Sequence, residues 1–166
     1  DTGRIALAGA SHGALISFLA AARNPDVKAV VAAYGVMDIY RWWDYLSRVG
    51  KVGKDEVTRR TYGDGPEARP QSFAIRNAVA VAPQINCPVL ILQGKKDDIV
   101  PWEQAGFMQT ALQKAGKTCQ VELYPDCLHG FLVYAPYLHD VTRAERAQTE
   151  QSWRTMLDFL NKATRQ

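Results

Sequence analysis

The sequence predicts an α/β fold, a parallel sheet flanked by helices, from two observations. Four short segments read as strands, at Arg4 to Ala8, Lys28 to Tyr34, Pro88 to Gln93 and Cys119 to Tyr124. Each is followed by a turn and then a helical or loop stretch, the alternation expected when helices cover a parallel sheet. The second and third runs have almost no polar interruption, as strands buried on both faces should. In the fourth, Gln120 and Glu122 alternate with Val121 and Leu123, which suits a strand near the sheet margin.

Three apolar stripes at helical spacing fill the intervals. Leu15, Phe18, Leu19 and Ala22 form the first, closed by Asn24 and Pro25, because proline disfavours helix in the residue before it. Phe107, Met108, Ala111, Leu112 and Ala115 form the second, with Gly116 placed to end it in a left-handed conformation. Trp153, Met156, Leu157 and Leu160 form the third. All three read as packing faces. The stretch 38–83 breaks the rhythm with Tyr40, Trp42, Trp43 and Tyr45, then charge, then Gly63, Gly65, Pro66 and Pro70. It is expected to be a helical and irregular excursion within one domain spanning 1–166.

Composition narrows the function. Of 166 residues, 47% are hydrophobic and 22% charged, the balance of an ordinary globular protein with one core. The net charge of +3 comes from 20 basic and 17 acidic side chains, with no basic run long enough to track phosphates, so no nucleic-acid partner is expected. The longest apolar stretch, Ala14 to Ala22, is too short to span a bilayer, and no signal-peptide pattern opens the chain; no membrane partner is expected. Cys87, Cys119 and Cys127 form no C-x-x-C pair and read as reduced, partly buried thiols.

The chemistry starts at Gly9-Ala10-Ser11-His12-Gly13, a G-x-S-x-G motif between a predicted strand and a predicted helix. Ser11 is expected on a sharp, strained turn, with Gly9 and Gly13 supplying the room on either side. Such a turn aims the first N–H groups of the helix at a bound ligand, and the backbone N–H of His12 becomes a candidate oxyanion donor. A serine hydroxyl is a weak nucleophile, so it needs a base and a carboxylate to orient that base. The third strand runs into Gly94-Lys95-Lys96-Asp97-Asp98-Ile99-Val100-Pro101, at the carboxyl rim that Ser11 also occupies. The fourth runs into Tyr124-Pro125-Asp126-Cys127-Leu128-His129-Gly130-Phe131. The residues alone leave Asp97 and Asp98 both open as the acid, and His12 and His139 compete weakly with His129 as the base. No metal site is visible, and this chemistry requires no cofactor.

These motifs, with the Asp1-x-x-Arg4-Ile5 approach to the serine, resemble the catalytic domain of the prolyl oligopeptidase family; dienelactone hydrolase-like and acyl esterases share most of them. The resemblance implies an α/β-hydrolase fold, with Asp97, three residues after Gly94, as the acid of a Ser11–Asp97–His129 triad. It also suggests that Val36, Trp42, Trp43 and Val100 wall a substrate pocket; Trp42 and Trp43 read equally well as packing for the excursion. Ala14 replaces the second glycine usual after the serine motif, and His12 the usual bulky aromatic. Both departures favour a carboxylic ester over a peptide substrate.

An α/β-hydrolase has several strands before the nucleophile strand, and an early loop gives the second oxyanion N–H. The chain is therefore expected to be the C-terminal part of such a fold, needing an N-terminal segment or a second chain to complete its sheet. A catalytically silent interaction module is the competing reading.

Overall fold

The computed structural model describes residues 2–52, 56–138 and 140–165. Its sheet has four parallel strands in the order β1 (Ala6–Ala10), β2 (Ala29–Ala33), β3 (Val89–Gly94) and β4 (Cys119–Tyr124). Sequence order and spatial order coincide, so each connection returns the chain to the next position in one direction. Ala10 is in register with Ala33, and Gly94 with Tyr124, so the carboxyl ends of the strands form one rim.

β1 begins and ends two residues later than the sequence suggests. Thr2–Arg4 forms a 3₁₀ turn, and Gly9, read from sequence as part of the turn, instead pairs with Ala32 inside the sheet. The elbow at Ser11 is thus the first residue past the ladder. β2 and β3 are buried throughout, as continuous apolar runs require, whereas β4 lies at one margin and is only partly buried; Leu123, expected to face inward opposite Glu122, is exposed instead. β1 lies at the other margin, and among the described residues its outer edge pairs with no strand.

Between the strands run α1 (His12–Ala21), α2 (Ile39–Arg48), α3 (Glu56–Tyr62), α4 (Pro70–Ala74) and α5 (Glu103–Lys114), and α6 (Arg143–Ala163) follows β4. The strand period of two divides the core into two layers. Val30, Ala32, Val89 and Ile91 face α1, α5 and the 3₁₀ helix Ala78–Gln84, where Leu15, Phe18, Met108 and Leu112 close the layer. Val31, Ala33, Leu90 and Leu92 face the other way, toward Phe131, Leu132 and Met156. Fully burying one such aliphatic or aromatic side chain is worth about 1.5–3 kcal/mol, so the two layers carry the sheet. Gly116 ends α5's last turn at φ 70°, as its position predicts.

α6 departs from its predicted stripe. Trp153 and Leu157 remain 41% and 52% exposed, and the buried side chains are Glu145, Thr149, Ser152 and Met156. Glu145 and Thr149 meet the backbone of a loop, as described below, and Ser152 Oγ donates back to Thr149 O at 2.7 Å.

Candidate active site

Ser11 sits at φ 54° and ψ −122°, a left-handed conformation costly for a residue with a Cβ. Its N–H donates to Ala33 O at 2.9 Å, which ties the strained turn to the end of β2. Gly9 is required there: a Cβ would stand 2.1 Å from Gly13 O and 2.5 Å from Ser17 Oγ. Gly13 differs from expectation, since a Cβ on it meets nothing within 4 Å. The crowded partner is the Gly13 carbonyl, which also accepts from Ser17 Oγ at 2.9 Å. His12 opens α1, so its N–H has no acceptor inside the helix and points out of the N-terminal end.

The structure brings Ser11, Asp97 and His129 into one hydrogen-bonded chain. His129 Nδ1 lies 2.8 Å from Asp97 Oδ2, and His129 Nε2 lies 3.1 Å from Ser11 Oγ. An ionised carboxylate only accepts, so Nδ1 carries the proton and Nε2 is left to accept from the serine hydroxyl. The Asp97 side chain is wholly buried and that of His129 is 16% exposed.

A buried carboxylate is tolerable only when its oxygens are satisfied. The Asp97 loop does this with its own backbone: Ile99 N–H and Val100 N–H donate to Oδ1 at 3.0 and 2.8 Å. Gln93, at the end of β3 and fully buried, adds a donor from Nε2 to Oδ2 at 3.2 Å. The same amide nitrogen lies 3.2 Å from Gly94 O and from Val100 O, so it staples the loop closed. Asp98 points the other way. It is 71% exposed and pairs with Lys51 at 2.7 Å, which holds its carboxyl below the usual carboxylate range. The choice between the two aspartates therefore falls on Asp97 by geometry.

Gly94 lets the acid and histidine loops touch. A Cβ there would stand 2.3 Å from Cys127 O, and across this close approach Lys95 N–H donates to Tyr124 O and Lys96 N–H to Cys127 O. Beneath the imidazole, Tyr34 packs edge-on at 5.1 Å between ring centroids and also contacts Phe131. Tyr34 has φ 39°, a second left-handed non-glycine residue at the same rim. Burial pushes its hydroxyl up to about 12.

The residues expected to wall a pocket are placed elsewhere. Val36, Trp42, Trp43 and Val100 are at most 7% exposed and belong to one apolar cluster with Ile39, Tyr62 and Phe73. The packing alternative describes Trp42 and Trp43: their rings meet Tyr62, and Trp43 also meets Phe73 edge-on. A wall must be exposed to the ligand, and these side chains fill their space completely. Trp42 nevertheless bears on the site, because its Nε1–H donates to Ile99 O at 2.9 Å and holds the acid loop against α2. His12 turns into the same cluster, with Nε2 3.1 Å from Tyr62 Oη. His139 lies outside the described residues. A cavity of about 130 Å³ does border His129, lined by Leu128, Phe131, Tyr134 and Leu138 among others. A larger one, about 780 Å³, lies at the opposite, amino end of the strands beside Lys28, Pro88 and Phe159.

Sequence reasoning missed Gln93, Tyr34 and the polar face of α6. Gln93 carried a signal, a polar residue ending an otherwise apolar buried strand. Tyr34 carried none, since its left-handed backbone follows from Tyr34 N–H reaching Leu92 O at 2.7 Å. Among the described residues, no group of three or more His, Cys, Asp or Glu could hold a metal ion, and no helix is long and apolar enough to cross a membrane.

A parallel sheet carrying a strained serine, a buried carboxylate and an imidazole, in that chain order, on loops at the carboxyl ends of its strands is the arrangement of the α/β-hydrolase class. Within that class the chain belongs to the dienelactone hydrolase family, whose profile matches residues 1–164. Two similar proteins, from Methylorubrum extorquens and Yersinia pestis, both bear the name "Putative carboxymethylenebutenolidase". They are 33% and 32% identical to it, over 96% of this chain and 43% and 47% of their own lengths. The chain thus spans less than half the length of these curated relatives. Among solved structures, it resembles an acylaminoacyl peptidase of Pyrococcus horikoshii, with a TM-score of 0.78 at 16% identity over 99% of this chain and 24% of the other. A puromycin-hydrolyzing peptidase of Mycobacterium tuberculosis gives 0.76 at 22% identity, over 99% and 23%. Those two likenesses concern the fold.

Proposed function

We propose that this chain carries the acyl-transfer centre of a serine hydrolase. Ser11 Oγ attacks a carbonyl, His129 Nε2 takes its proton and returns it to the leaving group, and Asp97 keeps His129 in the required tautomer. The His12 N–H is one donor to the oxyanion. Water then attacks the acyl-enzyme by the same steps in reverse, releasing the acid. The observation that carries this reading is the unbroken Asp97–His129–Ser11 hydrogen-bond chain.

A carboxylic ester is the favoured substrate. The family name refers to a lactone, a cyclic ester, and the departures at His12 and Ala14 lean the same way. The peptidase alternative draws on the fold likeness to peptidases. Rates on a short-chain nitrophenyl ester and on an aminoacyl anilide, compared in one preparation, separate them; faster anilide cleavage overturns the ester reading.

The unpaired outer edge of β1 supports a further part of the proposal, that another strand pairs there, from residues preceding Asp1 or from a second chain. Light scattering together with the mass of the natural polypeptide tests this. A monomer whose natural mass equals that of this chain overturns it.

The decisive experiment is labelling with a fluorophosphonate. Stoichiometric modification of Ser11 that vanishes in Ser11→Ala is expected, and on esters Ser11→Ala should lower kcat by about 10⁴–10⁶. Absence of labelling, or a much smaller loss, would favour the silent interaction module.

A further inference from the structure

The buried face of α6 is polar where helices usually present Leu or Ile, and Glu145, Gln148, Thr149 and Trp153 spend hydrogen bonds on one loop. Gln148 Oε1 accepts from Asp126 N–H at 2.9 Å, while Gln148 Nε2 donates to Asp126 Oδ2 at 2.7 Å. One helix turn earlier, Glu145, only 6% exposed, accepts from Leu128 N–H at 3.4 Å. Further along the helix, Thr149 Oγ1 reaches Phe131 O at 3.5 Å and Trp153 Nε1 reaches Leu132 O at 3.0 Å. Residues 126, 128, 131 and 132 are thus held through their backbones on both sides of His129.

Asp126 is the hinge of this arrangement. Its second carboxylate oxygen pairs with Lys96 Nζ at 2.8 Å, and Lys96 N–H donates to Cys127 O at 3.1 Å. The carboxylate of Asp126 therefore joins α6 to the Asp97 loop, three residues before the imidazole. Between them Cys127 is fully buried against Gly94. A loop free on this side could keep its fold and still let the imidazole drift, and a displacement of about 1 Å can cost about 10²-fold in rate.

We propose that Gln148 is a positioning residue for His129. It acts through Asp126, with Glu145 as its second grip on the loop, and sets how well the imidazole is aligned between Ser11 and Asp97. This rests on the serine hydrolase reading for its kinetic consequence, and on the hydrogen bonds alone for its structural one.

The test uses Gln148→Leu, Glu145→Gln and Asp126→Asn in the complete natural protein. In Gln148→Leu, the rate of fluorophosphonate labelling and kcat on a nitrophenyl ester should fall about 10- to 100-fold with KM within about twofold. The His129 Nδ1 proton resonance should also broaden or move. Glu145→Gln retains an acceptor for Leu128 N–H and should stay within about threefold of wild type. Asp126→Asn, on a half-exposed side chain that tolerates change, should reproduce a smaller part of the Gln148→Leu loss, and it serves if Gln148→Leu does not fold. Folded Gln148→Leu or Asp126→Asn with wild-type rates and an unmoved resonance overturns the proposal. A proportional fall in kcat and rise in KM, or a loss in Glu145→Gln as large as that in Gln148→Leu, also counts against it. If the wild-type protein itself resists labelling, the hydrolase reading fails, and the imidazole resonance still judges the grip.

Discussion

The loops that deliver Asp97 and His129 to the same rim are built in opposite ways. The Asp97 loop is held from within: its carboxylate collects the N–H groups of Ile99 and Val100, and Gln93 closes the ring behind it. The functional group is itself the structural centre. In the His129 loop the imidazole organises nothing, and the backbone is secured from outside by Gln148, Glu145, Thr149 and Trp153 of α6. Asp97, its side chain wholly buried, needs its oxygens satisfied by the loop for its own stability. The His129 side chain, 16% exposed, lies at the surface, and its loop is held by side chains of another element.

This contrast predicts how each loop breaks. The largest effect belongs to Asp97→Asn, which can still accept from Ile99 and Val100 but no longer fixes the proton on Nδ1. Ester turnover should fall about 10⁴-fold while the loop keeps its shape. A loss of tenfold or less would mean that the carboxylate serves the loop and not the imidazole.

Gly94→Ala strikes where the two loops meet. The new Cβ would collide with the Cys127 carbonyl, backbone against backbone, so the loops have to part. A stability loss of about 1–3 kcal/mol is expected from the overpacking, with turnover down about 10²-fold. Urea midpoints and kcat measured on the same sample check both. Wild-type values would show that the loops move independently.

Trp42→Phe tests the outer support of the acid loop. It removes the donor to Ile99 O, leaving a carbonyl unpaired, at a cost of about 1–3 kcal/mol in stability. Because Asp97 keeps its own four partners, turnover should fall less than tenfold. Stability held with activity lost would reverse the contrast drawn above.

How much of this was legible in sequence follows the same division. Ser11, Asp97 and His129 were readable because each sits beside residues that local geometry demands: Gly9 under the elbow, Gly94 where the loops cross, Gly130 at φ 79° after the imidazole. The burial of β2 and β3 was readable from uninterrupted apolar runs. The strand start at Ala6 was not, since Gly9 looks like a turn residue until Ala32 is seen beside it. Nor was the pocket: aromatic residues in an excursion look alike whether they face a ligand or one another, and Trp42, Trp43 and Tyr62 face one another. The working face of α6 was invisible because apolar periodicity finds helices that pack on side chains. Glu145, Gln148 and Thr149 pack on a backbone, and only the partner loop reveals why they are polar.

The smallest expected effect of a single substitution, that of Cys127→Ala, probes the underside of the His129 loop with alkali. Burial pushes Cys127 up from 9.0 to about 12, and Tyr34 and Tyr124 from 10.0 to about 12, within the layer that also holds Phe131. Each group is neutral when protonated, and its folded value lies above its unfolded one. The unfolded chain therefore loses these protons first, and the stability they contribute, complete below pH 9, drains away as pH rises toward 12. For one such group the slope is about 1.4 kcal/mol per pH unit once the unfolded form has titrated. Unfolding free energy measured from pH 8 to 11 should bend downward above 9. Cys127→Ala, at some cost near neutrality for the lost packing, should make the fall between 9 and 10 shallower without abolishing it, because burial also raises the thiols of Cys87 and Cys119 while the tyrosines still keep their protons in both states. An equal bend in that variant would place the alkaline weakness outside the loop that carries the imidazole.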